Sequence, residues 1–155
     1  MSTPATKLLT ELGITFKVHE YHHDPSVTSY GLEAADKLGL PYEQVFKTLV
    51  AEIDSGYAVG IVPVDQQVNL KNLAKAVGSK KAVMAKPDVA SRLTGYVVGG
   101  ISPVGQKKLL PTVIDEMAQL QETILVSGGK RGFDIELSPN DLVTVTKALF
   151  APIAD

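Results

Sequence analysis

The chain has 155 residues, 45% hydrophobic and 21% charged, which fits one globular domain over residues 1–155 that buries about 70% of the surface its unfolded form exposes, and excludes a disordered segment. It has no cysteine, so disulfides, zinc–thiolate sites and a protein thiol nucleophile are excluded. The net charge of −2 hides a polarised distribution: residues 71–131 carry ten Lys or Arg against four Asp or Glu, a local charge of +6, and the remainder carries −8. A basic face on an acidic protein suits a polyanionic partner, and lysines that are simply solvated suit the same pattern.

Thr3, Pro4 and Gly13 frame a first helix as N-cap, first helical residue and C′ glycine, with Leu8, Leu9 and Leu12 as its apolar stripe. This start is unlike a secretory leader, and no apolar run approaches the roughly 18 residues of a membrane span, so a cytoplasmic location without a membrane partner is expected. Residues 14–21 alternate Ile14, Phe16 and Val18 with Thr15, Lys17 and His19, the pattern of a strand with one wet face. After a His22-His23-Asp24-Pro25 turn, Leu32, Ala35 and Leu38 give a second helix stopped by Gly39. Residues 45–53 and 57–64 are apolar, β-rich runs joined by Asp54-Ser55-Gly56, a hairpin signal.

Leu70, Leu73, Ala74 and Val77 recur at helical spacing, so residues 69–77 form a third helix that ends at Gly78 and turns Lys71 and Lys75 to solvent. Residues 87–94 form a fourth, with Pro87 at its first position and Gly95 just past its end. Residues 123–126 and 133–137 read as strands flanking a Ser127-to-Gly132 turn, and Ser138, Pro139 and Asp141 open a last helix. Short hairpin connections among interleaved strands and helices do not fit an alternating parallel sheet. The expected fold is a single α+β domain on a mixed, mostly antiparallel, curled sheet.

Three features bear on chemistry. Residues 95–108 and 127–134 are glycine-hinged segments, each with a pair of basic residues, Lys107-Lys108 and Lys130-Arg131; such loops expose backbone N–H groups to a ligand, or form tight hairpins. Lys47 shares a strand face with Val45, Leu49 and Ala51, where an ammonium must be paired, reach water or meet an anionic ligand. Asp134, set against Phe133, Ile135 and Leu137, either faces the same pocket and holds Lys47 or is solvated. His19, His22, His23 and Asp24 are too few and poorly spaced for a zinc set, so no metal is expected. Ser102 and Ser127 lie in no nucleophile elbow, which argues against a serine-hydrolase triad.

Lys47-Thr48-Leu49, Thr94-Gly95-Tyr96, Gly99-Gly100-Ile101-Ser102-Pro103, the Ser127-to-Gly132 segment and Asp134-Ile135-Glu136-Leu137 together resemble the YbaK/EbsC family, and the likeness runs from Thr3 nearly to the C-terminus. The resemblance implies a mixed β-barrel-like sheet flanked by helices. It implies a trans-editing aminoacyl-tRNA deacylase that removes cysteine from mischarged Cys-tRNA(Pro) without a cofactor, with prolyl-tRNA synthetase as partner. The family also includes the editing insertion domain of bacterial prolyl-tRNA synthetases and free-standing alanine-specific deacylases.

Carried over by position, Lys47, Gly100 and Ser102 would form the catalytic set, and Tyr21, Thr48, Ile101, Ser127 and Asp134 would bind the substrate. The substrate's own thiol would attack its ester and leave as a thiolactone, so the protein need only position and polarise. Lys71, Lys75, Lys80, Lys107, Lys108, Lys130 and Arg131 would receive RNA phosphates. Two other readings fit the same residues: a deacylase of alanine or another amino acid, and a non-catalytic module that binds tRNA or a synthetase.

Overall fold

The computed structural model describes residues 2–155. In chain order the elements are α1 (Pro4–Glu11), β1 (Lys17–Glu20), α2 (Tyr30–Leu38), β2 (Phe46–Ile53), β3 (Gly56–Pro63), α3 (Leu70–Ala76), β4 (Ala82–Met84), α4 (Pro87–Thr94), β5 (Thr112–Asp115), β6 (Ile124–Lys130), β7 (Phe133–Leu137), α5 (Pro139–Thr146) and β8 (Leu149–Ala151). The strands form a five-stranded sheet, β4-β2-β3-β5-β8, and a three-stranded sheet, β1-β7-β6. Pairing is antiparallel except for β3–β5 and β5–β8. The α+β expectation holds, but the sheet does not close into a barrel: the two sheets meet through a single bridge between Val45 and Leu125.

Local chemistry explains most boundaries. Thr3 and Thr6 form a reciprocal capping box at the start of α1, and Pro4 follows the cap. Gly39 and Gly95 end α2 and α4 in the left-handed conformation. Ser138 accepts the Asp141 N–H and opens α5. The β2–β3 hairpin pairs Ile53 with Gly56 across an Asp54-Ser55 turn.

Several expectations are corrected. In α1 the buried face is Ala5 and Leu9, while Leu12 is 54% exposed beyond the helix end. The strand expected over 14–21 shrinks to Lys17–Glu20, because Gly13 and Ile14 donate their N–H groups to Thr10 and Leu9 and so belong to the helix terminus. The segment 127–132 is not one turn: β6 continues to Lys130 through a β-bulge, leaving only Arg131 and Gly132 to reverse the chain. Strands β4, β5 and β8 carry no alternation signal at three or four residues each.

The main core lies between the sheets, where Phe46, Val50 and Ile61 pack against Ile124, Phe133 and Ile135. A second cluster seats Ala34 and Ala35 of α2 on Val45, Val64 and Leu125. A third, under α3, holds Leu73 against Ala51, Val62 and Val113. The seam where the two sheets part is covered by α2 and α4 and encloses a cavity.

Candidate active site

The cavity has a volume of about 420 Å³ and is built from seven parts of the chain: Tyr21 after β1, residues 28–32 and Ala34 at the start of α2, residues 45–50 in and just before β2, Val64 just after β3, residues 84–90 around the start of α4, Val98, Gly99 and Ile101 of the first glycine loop, and Ser127 and Asp134 of the β6–β7 pair. That size suits a small-molecule ligand. Six of the eight catalytic and substrate-binding residues carried over from sequence line it: Tyr21, Lys47, Thr48, Ile101, Ser127 and Asp134.

Each polar wall residue has a distinct environment. Burial holds the Lys47 ammonium below the usual lysine range, against a smaller opposite pull from Asp65. Burial pushes the Asp134 carboxyl up to about 7. Asp134 is 6% exposed and opposes Ser127 in the β6–β7 ladder, so both point to the same face. Tyr21 is pushed up to about 12 by burial and by the neighbouring Asp134 carboxyl. The Thr48 hydroxyl is buried with no hydrogen-bond partner among the described residues. Ser127 Oγ accepts the Gly129 N–H at 3.2 Å.

Gly100 and Ser102 stand apart from the cavity lining. Ser102 is fully buried, and its Oγ accepts the Val104 N–H at 3.2 Å, which shapes the loop from behind. The Gly100 N–H is committed to the Val97 carbonyl at 2.8 Å. A Cβ at Gly100 would sit 2.7 Å from the Lys130 Cα, so glycine is needed there for backbone-to-backbone approach between the two glycine segments. Among the basic residues, Lys71, Lys75, Lys80, Lys107 and Lys108 are exposed. Lys130 Nζ lies 5.2 Å from the Phe133 ring centre, and Arg131 is bound to the cavity wall, its Nε and Nη2 donating to the Val98 carbonyl at 2.9 and 2.7 Å.

The start of α2 is the part of the wall that the sequence did not single out. Glu33, 7% exposed, anchors it: His23 Nδ1 lies 2.6 Å away, the Asp24 N–H donates at 2.8 Å, and Lys37 Nζ lies at 3.1 Å. Burial works to raise the Glu33 carboxyl, but these donors outweigh it and hold the group below the usual range. Two of the three histidines are thus absorbed into structure, His23 here and His19 beside Glu136 at 2.7 Å, while His22 is exposed. Gly31 was the available signal: a Cβ there would meet Val64 Cγ1 at 2.5 Å, so this glycine in the first turn of α2 marks close approach to β3, beside Lys47.

The cavity is thus mostly apolar, with the Lys47 amine and the raised Asp134 carboxyl in its wall, and among the described residues no histidine lines it. Comparison with known proteins assigns the class. The sequence profile of the aminoacyl-tRNA editing domain matches residues 24–145. EbsC of Enterococcus faecalis, provisionally named a Cys-tRNA(Pro)/Cys-tRNA(Cys) deacylase, is 38% identical over 152 residues, which cover 97% of this chain and 92% of EbsC. The proline–tRNA ligase of Fervidobacterium nodosum is 27% identical over 65% of this chain, a match spanning 17% of the ligase. A crystal structure described provisionally as a trans-editing enzyme for prolyl-tRNA synthetase superposes with a TM-score of 0.83 at 27% identity, covering 100% of this chain and 99% of that one.

Fold, cavity and likeness define an aminoacyl-tRNA deacylase. The chain belongs to the aminoacyl-tRNA editing domain family.

Proposed function

We propose that the protein is a trans-editing enzyme that clears cysteine from Cys-tRNA(Pro), using the substrate's thiol as nucleophile. The observation that carries this reading is the cavity itself, which offers Lys47, Thr48 and Asp134 as holding groups and no histidine to activate a nucleophile. The likeness to EbsC over nearly the whole chain favours cysteine over other amino acids.

In this mechanism the Asp134 carboxylate takes the α-ammonium of the cysteinyl group, a cation that relieves its burial. The free Thr48 hydroxyl donates to the ester carbonyl, and Lys47 holds the ester-bearing 3′ end of the RNA. The cysteine sulfur attacks the carbonyl carbon, the C–O bond to the ribose breaks, and the thiol proton passes to the ribose oxygen. The products are a cyclic thiolactone and free tRNA. Positioning of this kind supplies up to about 7–11 kcal/mol when two reacting groups are well aligned. The Gly100 N–H, committed to Val97, is not available as an oxyanion donor, which leaves that task to Thr48 and Lys47.

Prolyl-tRNA synthetase fits as the partner because matching editing domains occur within proline–tRNA ligases. The deciding experiment is deacylation of cysteinyl-, alanyl- and prolyl-tRNA(Pro) by the purified protein, with a parallel S-methylated cysteinyl-tRNA. Rapid loss of cysteine, abolished by S-methylation, is the expected result. Turnover that survives methylation would instead establish water attack and an alanine-type activity, and binding without any turnover would establish a recruiting module.

A further inference from the structure

The geometry points to a nucleobase platform at the cavity rim, made by the guanidinium of Arg131 resting on Tyr30, which takes the terminal base of the aminoacylated RNA. This inference rests on the proposed function and assigns the neighbouring subsite. Arg131 stands at the β6–β7 turn, exposed, with its Cζ 4.8 Å from the centre of the Tyr30 ring. Its Nε–H and an Nη2–H both donate to the Val98 carbonyl, so the planar group is pinned by a forked hydrogen bond and by the aromatic ring beneath it.

Tyr30 is itself fixed. A Cβ at Gly99 would fall 2.7 Å from its ring atoms, and the His23 ring packs 5.6 Å from it, tilted by 40°. A flat cation has therefore lost its conformational freedom before any ligand arrives. Val98, whose carbonyl Arg131 holds, and Met84 line the cavity while remaining 36% and 46% exposed, and Val97, adjoining Val98, is 56% exposed.

A pinned guanidinium plane with exposed apolar neighbours fits the face of a nucleobase, which is flat, π-rich and poorly hydrated. It fits a phosphate less well, because phosphate recognition uses the N–H edge, part of which Val98 already occupies. Arg131 thus moves from the phosphate-contacting set expected from sequence to a base-stacking role. The cavity below the rim takes the aminoacyl group, and the ribose that carries it leads out to the base.

The test measures binding, so that it does not depend on turnover. A minihelix RNA bearing a non-hydrolysable 3′-cysteinylamide is prepared with a terminal adenine or with an abasic terminal ribose, and its dissociation constant is measured for the parent protein and for Arg131→Lys. The parent should bind the abasic RNA about tenfold more weakly, whereas Arg131→Lys, which keeps the charge and loses the plane, should bind both RNAs alike at about the parent's abasic affinity. Equal binding of the two RNAs by the parent would overturn the inference without recourse to the variant. So would an Arg131→Lys protein that keeps the parent's preference for adenine. Deacylation of the matching ester is followed in parallel: loss of the base effect with turnover intact sinks the platform alone, and absence of turnover with the base effect intact sinks the proposed function alone.

Discussion

Lys47 and Asp134 look into one cavity from two different sheets, and no ion pair joins them among the described residues. Each is held away from its ordinary ionisation for the same reason, burial, which depresses the amine and raises the acid. Had they paired, each would have favoured the other's charged form. Under the proposed function, an amine and a carboxyl kept apart around a cavity would suit a ligand that carries both an ammonium and an electron-rich oxygen, as an aminoacyl ester does.

Replacing Asp134 with Asn should trade activity for stability. The Asp134 carboxyl has its folded pKa raised from 3.8 to about 7. Below about pH 4 the proton is bound in both folded and unfolded chains. Between about 4 and 7 only the unfolded chain releases it, so stability falls as pH rises across that window and levels off above it, by about 4 kcal/mol at most. Asp134→Asn should flatten this slope and unfold at higher denaturant than the parent at pH 8, while binding the cationic aminoacyl group more weakly. Urea titrations at pH 5 and pH 8 decide the matter; a variant that keeps the parent's slope would assign the pH dependence to another group.

Lys47 should govern the alkaline limb of the reaction. Because burial depresses its ammonium, with Asp65 opposing, the limb of kcat/KM that reports its deprotonation should lie below the ordinary lysine value of 10.5. Lys47→Met keeps the apolar stem and removes the charge. It should remove that limb and lower kcat by about 100- to 1,000-fold, the usual effect of losing one preorganised electrostatic contact to a developing oxyanion. A pH–rate profile of parent and variant is the check, and an unchanged kcat would take Lys47 out of the mechanism.

Thr48 offers a sharper separation of stability from function. A buried hydroxyl without a partner costs about 1–3 kcal/mol relative to an apolar group in the same space. Thr48→Val conserves the shape and the β-branching of strand β2, so it should stabilise the fold by about 1 kcal/mol while slowing deacylation about three- to tenfold through loss of one hydrogen bond to substrate. Thermal melts and single-turnover rates on the same preparation test both halves. A variant that is less stable than the parent would mean that the hydroxyl has a partner in solution.

Much of this was readable from the residues, and the exceptions share a cause. Helix α4 runs Pro87–Thr94 as its proline and glycine require, and the β2–β3 hairpin turns at Asp54-Ser55. Those boundaries are written in adjacent residues. The strand alternation that set Lys47 and Asp134 apart was likewise local, and the cavity holds with them Tyr21, Thr48, Ile101 and Ser127, whose roles had come from family resemblance. What escaped depends on chain segments far apart in sequence. Strands β5 and β8 are parallel neighbours in the five-stranded sheet and too short to show a period. Ser102 sits in a glycine-rich segment like any ligand loop, yet its hydroxyl turns inward to Val104. The α2 wall is fixed by Glu33 reaching back to His23 and Asp24, a contact that no spacing rule anticipates.

Gly31 connects that wall to Lys47 and gives the last prediction. Its position in the first turn of α2 would accept alanine on helix propensity alone, with a gain of roughly 0.5–1 kcal/mol. The surroundings forbid it: the added methyl would lie 2.5 Å from Val64 Cγ1 and 3.0 Å from Val64 Cβ, and a β-branched side chain packed against Ala34 and Val45 has no free rotamer to retreat into. The start of α2 must therefore lift away from β3, carrying Tyr30 with it and widening the cavity beside Lys47, whose Cβ is 3.8 Å from the same point. Gly31→Ala should destabilise the protein by about 1–3 kcal/mol, the usual range for overpacking. It should also raise KM for aminoacyl-tRNA more than it lowers kcat, since the substrate wall moves while the strand bearing Lys47 does not. Gly31→Ala combined with Val64→Ala, which vacates the space the methyl needs, should recover most of the lost affinity; if the double variant binds no better than the single one, the close approach of α2 to β3 is not what sets the cavity width.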